Sequence, residues 1–373
     1  MNRQLAGTAK PGATSSKGGD AFSDVQNIFI ELTSKCNMGC KFCPYPVLKR
    51  KKQDMPHEYV LKILDEVKGK NRDVTFHVLG EPLLNRRFFE YARLCDAKGI
   101  NYWVVTNGLA LSPDVSDELF SLKNLKNLEI SFHTMTEKDF ALRCRHISFE
   151  HYLQKIYDTV FSRKRYESDV KINIDVMYDL HLFNGKIWNN FSMEKWASFS
   201  SLMLEWSRAL NEQYPEAHTR WPRFFGGKKK IFHREDHYVY RQFSDIPATL
   251  FEAFPPHITW IRWEVFPGVF VTLKKFFFFT KNDTYLRHAL DTDIHAAVTP
   301  ATHFSCSWPC HLAILSNGAI TFCCLDYEGE LACGNIQDMT LEEAAQSRIR
   351  HLVMSRPDSF ALCRQCKGEI HLS

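Results

Sequence analysis

Three cysteines stand close together early in the chain, where Glu31 to Pro44 reads ELTSKCNMGCKFCP. Cys36, Cys40 and Cys43 are thus spaced C-x3-C-x2-C directly after an apolar segment. Thiolates are soft ligands that suit iron–sulfur clusters or zinc. A cubane cluster usually takes four cysteines. Three with no fourth nearby would leave one iron without a protein ligand, the logic of a catalytic site as opposed to a closed structural one. The spacing alone also admits a structural zinc site that borrows a distant fourth ligand. Asn37 and Gly39 give the loop the backbone freedom that closely spaced ligands need.

A second group lies near the C-terminus, in CSWPCHLAILSNGAITFCCLDYEGELACGNI and, later, LCRQC. Cys306, Gly318 and Cys323 give C-x11-G-x4-C, and Cys363 and Cys366 complete the group. Ser316-Asn317-Gly318 is a strong turn signal between two apolar runs, so a hairpin is expected there. Cys324 adjoins Cys323 and competes with it as a ligand. Cys310 and Cys333 are spare, and zinc is an alternative for this group too. Cys95, on a predicted helix, and Cys144 read as structural.

All twelve cysteines are read for a reducing compartment. Residues 1–24 are polar, rich in Gly, Ser, Thr and Lys, and lack the apolar core of a secretion signal. No apolar run reaches the eighteen or so residues a bilayer span needs, and Phe276 to Phe279 is flanked by lysines. The expected setting is the cytoplasm, where clustered cysteines serve as metal ligands or catalytic groups in preference to disulfides. A net charge of +4 over 373 residues does not suggest a nucleic-acid binder. The basic runs Lys49-Arg50-Lys51-Lys52 and Lys228-Lys229-Lys230 read as solvated loops.

The elements that must position the first cysteines alternate in type. Strands are expected at 28–32, 74–79, 102–105, 128–132 and 170–176, with helices at 57–68, 87–98, 114–122 and 149–161. This βα alternation argues for a parallel sheet, doubly wound or closed into a barrel. A further strand is expected near 258–265. Residues 1–24 read as a disordered tail, 25–300 as the main α/β domain, 185–257 as an insert rich in aromatic residues, and 301–373 as a separate cysteine-rich unit.

Four motifs in order carry a family resemblance: the C-x3-C-x-aromatic-C loop with Phe42 as the aromatic, Leu79-Gly80-Glu81-Pro82, Thr106-Asn107-Gly108, and Ser131-Phe132-His133. Each is expected at a strand's C-terminal end, where (β/α) barrels build active sites. Together they resemble the radical S-adenosylmethionine superfamily over roughly residues 27–180, with Leu79 in place of the first glycine of the family's "GGE" motif. The resemblance implies a partial (β/α)6 TIM-type barrel and a catalytic [4Fe-4S] cluster on Cys36, Cys40 and Cys43. It implies that the amino and carboxylate groups of S-adenosylmethionine chelate the open iron. Gly80 and Glu81 would hold the amino group, the Phe42 backbone would meet the adenine, and Asn107 and Ser131 would reach the ribose or carboxylate. His133 is left open between a core residue and one facing substrate. Reductive cleavage would then yield a 5′-deoxyadenosyl radical, the cofactor supplying the hard step and the protein its aim.

The C-terminal cysteines resemble the SPASM and twitch extensions of such enzymes. That implies one auxiliary [4Fe-4S] cluster on Cys306, Cys363, Cys366 and either Cys323 or Cys324. The implied function is hydrogen abstraction that oxidises or cross-links a small-molecule natural product or a ribosomal peptide. A flavodoxin- or ferredoxin-type electron donor is implied, and a peptide substrate would call for a separate leader-binding protein. The competing class is a non-catalytic iron–sulfur electron carrier or redox sensor, against which the Gly80-Glu81 and Thr106-Asn107-Gly108 motifs speak.

Overall fold

The computed structural model describes Phe22, residues 24–177, parts of 198–209, 260–274, 296–304, Cys306, 311–367 and the strands at 179–183, 186–190, 237–240 and 369–372. Four βα steps and a fifth strand open the described part of the chain. The strands are β1 (Asn27–Ile30), β2 (Asp73–Phe76), β3 (Tyr102–Thr106), β4 (Leu125–His133) and β5 (Lys171–Met177). Between them lie α1 (His57–Val67), α2 (Phe88–Lys98), α3 (Pro113–Ser121), the short α4 (Glu137–Phe140) and α5 (Phe149–Arg165). Ser112 and Ser148 cap α3 and α5 by accepting from Val115 N and His151 N, which fixes where those helices start.

The later strands are β6 (Asp179–Phe183), β7 (Lys186–Asn190), β8 (His237–Tyr240), β9 (Trp260–Phe266), β10 (Val269–Lys274), β11 (Ala296–Thr299), β12 (His311–Ile314), β13 (Ala319–Thr321), β14 (Gly334–Asn335) and β15 (Glu369–Leu372). One sheet runs β14-β13-β12-β1-β2-β3-β4-β5-β10-β9-β8. From β12 through β10 every neighbouring pair is parallel. Strands β1 to β5 and β10 form the partial (β/α)6 barrel, whose sheet is not closed.

The sixth parallel strand is β10, not the segment expected near 258–265. That segment falls in β9, which runs antiparallel to β10 across a turn at Pro267-Gly268. Both strands carry apolar alternation, so periodicity could not tell which continued the parallel order.

The two faces of the sheet differ in chemistry. On β4, Leu128, Ile130 and Phe132 are fully buried under the helices, Phe132 stacking on Tyr152 with ring centroids 5.6 Å apart. The alternate residues Asn127, Glu129, Ser131 and His133 face inward. They share that side with Trp103, Asn173, Asp175, Thr272 and Lys274. From the region expected as an aromatic insert, Phe199 is buried in the core and Trp206 packs edge-on against Tyr157. Trp188 lies on β7 and carries no described side chain, while Trp196, Trp221 and the Lys228–Lys230 run lie outside the described residues. So do residues 1–21 of the expected tail, Cys310 and Phe276–Phe279. Phe22 and Asp24, counted in that tail, are anchored: Phe22 is buried and Asp24 accepts from the buried Arg350 at 2.9 Å.

The C-terminal hairpin is not set apart from the barrel. Strand β12 adds to the free edge of β1 in parallel register, Asn27 opposite His311 and Ile30 opposite Ile314. Beyond β14 the chain packs α6 (Leu341–Ala345), α7 (Arg348–Ser355) and α8 (Ala361–Lys367), with a capping box between Thr340 and Glu343 starting α6. The hairpin turn leans on α1: Gly318, at φ 88°, is so close that a Cβ there would lie 2.4 Å from Asn335 Oδ1 and 2.7 Å from the Tyr59 ring. Gly318→Ala is therefore expected to cost about 2–3 kcal/mol through positive φ and overpacking, read as a lowered urea midpoint with an unchanged slope.

Candidate functional site

The cluster loop leaves β1 through Glu31, Leu32, Thr33 and Ser34, all buried, and carries Cys36, Cys40 and Cys43 over the C-terminal edge of the sheet. Its middle is clamped to the segment after α4, Gly39 N donating to Arg143 O at 3.0 Å and Lys41 N to Leu142 O at 3.2 Å. The three thiols are close enough to repel one another as thiolates. Burial first, and then the neighbouring thiols, push Cys43 upward; burial also pushes Cys36 up to about 11. Donors answer that charge. Met38 N lies 3.5 Å and Asn107 Nδ2 3.6 Å from Cys36 Sγ. The buried Arg143 guanidinium bears on Cys40 while tethered to Ser131 O at 2.6 Å and to Phe132 O. Soft donors ringed by N–H groups and a cation are suited to an anionic iron–sulfur cluster. Among the described residues no three His, Cys, Asp or Glu side chains converge on a single-ion site.

Leu79-Gly80-Glu81 follows β2 by a short loop instead of ending the strand. Gly80 has φ 79°, and a Cβ there would meet Thr33 O at 2.2 Å and Lys35 O at 2.9 Å. Glu81 N donates to Lys35 O at 2.8 Å, joining the motif to the cluster loop. The Glu81 carboxylate is wholly buried and points the other way. It accepts from Thr106 Oγ1 at 2.8 Å, Asn107 N at 2.7 Å and Leu83 N at 3.2 Å. Burial raises it to about 7 against those three donors. Both carboxylate oxygens are thus engaged, and it is the main chain of Gly80 and Glu81 that fronts the cluster loop. Asn107 continues the brace, its amide donating to Asn37 Oδ1 at 2.8 Å and its carbonyl accepting from Tyr152 at 2.7 Å.

Phe42 and His133 meet edge to face with ring centroids 5.6 Å apart. His133 ends β4 at φ 60°, and Val78 sits at φ 124° between β2 and Gly80. Such conformations in non-glycine residues cost about 1–3 kcal/mol each and gather at functional sites. Ser131 takes part through its carbonyl, which Arg143 holds.

Below this edge the inner face is polar. Lys274 pairs with Asp175, which also accepts from Asn173 at 2.6 Å; Asn173 in turn accepts from Thr272 at 2.6 Å. Burial raises Asp175 to about 6, with Lys274 opposing, and lowers His77 to about 4. Two polar atoms on this face, Trp103 Nε1 and His133 Nδ1, are buried with no hydrogen-bond partner among the described residues.

In the C-terminal unit, Cys363 feels Cys323, Cys306 and Cys366, so these four thiols form one neighbourhood. Cys324, hydrogen-bonded to Cys323, is buried in an apolar cluster with Phe29, Val78, Ala313 and Leu315. Cys333 lies 3.8 Å from Met339 Sδ, and Cys95 and Cys144 are buried. Sequence reasoning missed Arg143 and Tyr152. A lone arginine in ALRCRH and a tyrosine at helical spacing give no signal beyond a solvated charge and a core aromatic.

The radical SAM superfamily model matches residues 30–180, and the iron–sulfur cluster-binding SPASM domain model matches residues 306–367. The chain thus carries a radical S-adenosylmethionine domain and, toward its C-terminal side, an iron–sulfur cluster-binding SPASM domain. Domains of these two kinds are built on iron–sulfur and S-adenosylmethionine binding. Among curated relatives, the tungsten-containing aldehyde ferredoxin oxidoreductase cofactor-modifying protein of Pyrococcus furiosus is 30% identical over 97 residues, 26% of this chain and 27% of that one. The match thus spans about a quarter of the relative's length. Among solved structures, Streptococcus suis SuiB bound to precursor peptide SuiA aligns over 88% of this chain and 66% of its own, at 13% identity and a TM-score of 0.51. BtrN in complex with AdoMet and 2-DOIA aligns over 92% of each chain at 13% identity and a TM-score of 0.48. At such identity the SuiB likeness is one of fold. No helix among the described residues is long and apolar enough to cross a membrane.

Gly80→Ala is expected to push the motif off Thr33 and Lys35. Iron bound at the cluster loop should fall by more than half after anaerobic reconstitution, while the far-ultraviolet spectrum is retained.

Proposed function

We propose that this chain uses a [4Fe-4S] cluster on Cys36, Cys40 and Cys43 to abstract a hydrogen atom from a polar substrate, leading to its oxidation or cross-linking. The observation that carries the reading is the set of three mutually crowded thiols on a loop that meets the polar inner face through Phe42 and His133. With the cluster and S-adenosylmethionine bound, they supply a 5′-deoxyadenosyl radical, and the protein's part is aim and exclusion of water. Gly80 and Glu81, through their main chain, Phe42, Asn107 and Ser131 are the residues we assign to S-adenosylmethionine. The engaged Glu81 carboxylate serves to lock the Gly80 and Asn107 loops together.

Trp103 Nε1 and His133 Nδ1 are the groups we assign to the substrate, one a donor and the other a ring nitrogen awaiting a partner. A buried polar atom without a partner costs about 1–3 kcal/mol, which a hydrogen-bonding ligand recovers. The polar face supports a reacting portion that carries hydroxyl, amine or amide groups, in a small molecule or in a peptide presented by a separate leader-binding protein.

Cys306, Cys323, Cys363 and Cys366 are assigned to one auxiliary [4Fe-4S] cluster, with Cys324 as a packing residue. The working division is residues 25–300 as barrel and 301–373 as auxiliary unit. A flavodoxin- or ferredoxin-type donor in a reducing cytoplasm fits the low potential that such clusters reach.

Anaerobically reconstituted protein should bind about eight irons, two four-iron clusters. Reduction with S-adenosylmethionine should release 5′-deoxyadenosine, measured by chromatography. Cys40→Ala should abolish that release and Cys363→Ala should spare much of it. Undiminished release from Cys40→Ala protein defeats the assignment.

A further inference from the structure

The basic run Lys49-Arg50-Lys51-Lys52 is not a solvated loop throughout. Arg50, on the arm that leaves Cys43, has a side chain only 7% exposed, and its partner Glu31 at the end of β1 is fully buried. A guanidinium offers several donors in a fixed fork. Here Nη2 binds Glu31 Oε1, Nη1 donates to Ser316 Oγ at 3.0 Å, and Nε donates to the Tyr327 carbonyl. The other Glu31 oxygen accepts from Ser316 N at 2.8 Å. Glu328 closes the contact from the far side, accepting from Lys49 N at 2.8 Å and Arg50 N at 3.2 Å. Gln53 adds a bond to Ser316 O at 3.1 Å.

The partners are not scattered. Ser316 belongs to the turn of the β12–β13 hairpin, and Tyr327 and Glu328 lie in the loop that begins at Cys323. That loop is itself rigid, because Asp326 accepts from Gly329 N at 3.1 Å, Glu330 N at 2.8 Å and Leu331 N at 2.9 Å. One buried side chain from the catalytic-cluster segment therefore grips both the turn and the cysteine loop of the C-terminal unit. A buried charge pair is a costly way to cross-link two segments where apolar packing would serve. What it adds is a fixed register, since the fork accepts only one arrangement of its acceptors.

We propose that Arg50 is the positioning residue that holds the Cys323–Leu331 loop in register with the arm leaving Cys43. Assembly and retention of the auxiliary cluster then depend on a side chain of the catalytic-cluster segment. The proposal rests on the two-cluster reading above. Its test pairs Arg50→Met with Glu31→Gln, so that no buried carboxylate is stranded, and sets Arg50→Lys beside it as the conservative variant.

Iron content, electron paramagnetic resonance with and without S-adenosylmethionine, and hydrogen exchange of peptides spanning 321–333 are read on each reconstituted protein. The double variant should fall from about eight irons to about four. It should keep the signal that responds to S-adenosylmethionine, lose the one that does not, and exchange at least tenfold faster over 321–333. Arg50→Lys should lie between it and the unaltered protein. Full iron with unaltered exchange overturns the proposal. So does loss of the S-adenosylmethionine-responsive signal in both variants, which would make Arg50 a residue of the catalytic loop alone. Should the unaltered protein bind no cluster, the two-cluster reading fails by itself; faster exchange over 321–333 in metal-free double variant would still uphold the tie, and unchanged exchange would still refute it.

Discussion

Everything around the Cys36–Cys43 loop depends on two backbones touching at Gly80. The space that a Cβ would occupy is taken by the carbonyl of Thr33, 2.2 Å away. Only because that atom is missing can Glu81 N reach Lys35 O and bring the loop after β2 onto the loop that carries Cys36. Glu81 then hands the constraint on, its carboxylate gathering Thr106 and Asn107 from the end of β3. Three loops from three strands are thus locked by main-chain contacts and one buried acid. Rigid support of this kind is what holds reacting groups in place.

Buried charge is the second organising element. The Arg143 and Arg50 side chains are both buried, each bonded to main-chain oxygen and to one further group: the Cys40 thiol for Arg143, Glu31 for Arg50. Arg143 joins the cluster loop to β4, and Arg50 joins its outgoing arm to the C-terminal unit. The inner face has its own ion pair, between Asp175 and Lys274. Outside the sheet the logic is the ordinary one of apolar helix faces on apolar strand faces.

The alternation of strands and helices through residue 177 was legible from the sequence because period and capping agreed at each step, as with Ser112 before α3 and Ser148 before α5. The cysteine loop and its three companion motifs were legible as chemistry because their residue types have few other uses at that spacing. The choice of β10 over β9 was not, since both read as apolar strands and only pairing partners set the direction. Nor were the surroundings of Cys323 and Cys324, adjacent thiols in contact with each other, of which Cys324 also joins the apolar cluster of Phe29 and Leu315. The basic run at 49–52 was misread for a plain reason: sequence position says nothing about which of four consecutive charges turns inward, and only Arg50 meets Glu31.

The pairing of β12 with β1 has a consequence for how the protein is made. Glu31 and Ser316, hydrogen-bonded at that junction, are separated by 285 positions. During synthesis the outer edge of β1 stays bare until the residues between it and β12 have been made. An unpaired strand edge is a site for wrong partners, and contacts so distant in sequence form late. That edge therefore waits unpaired while the intervening strands and helices are made, and the sheet extends beyond β1 only once β12 has emerged.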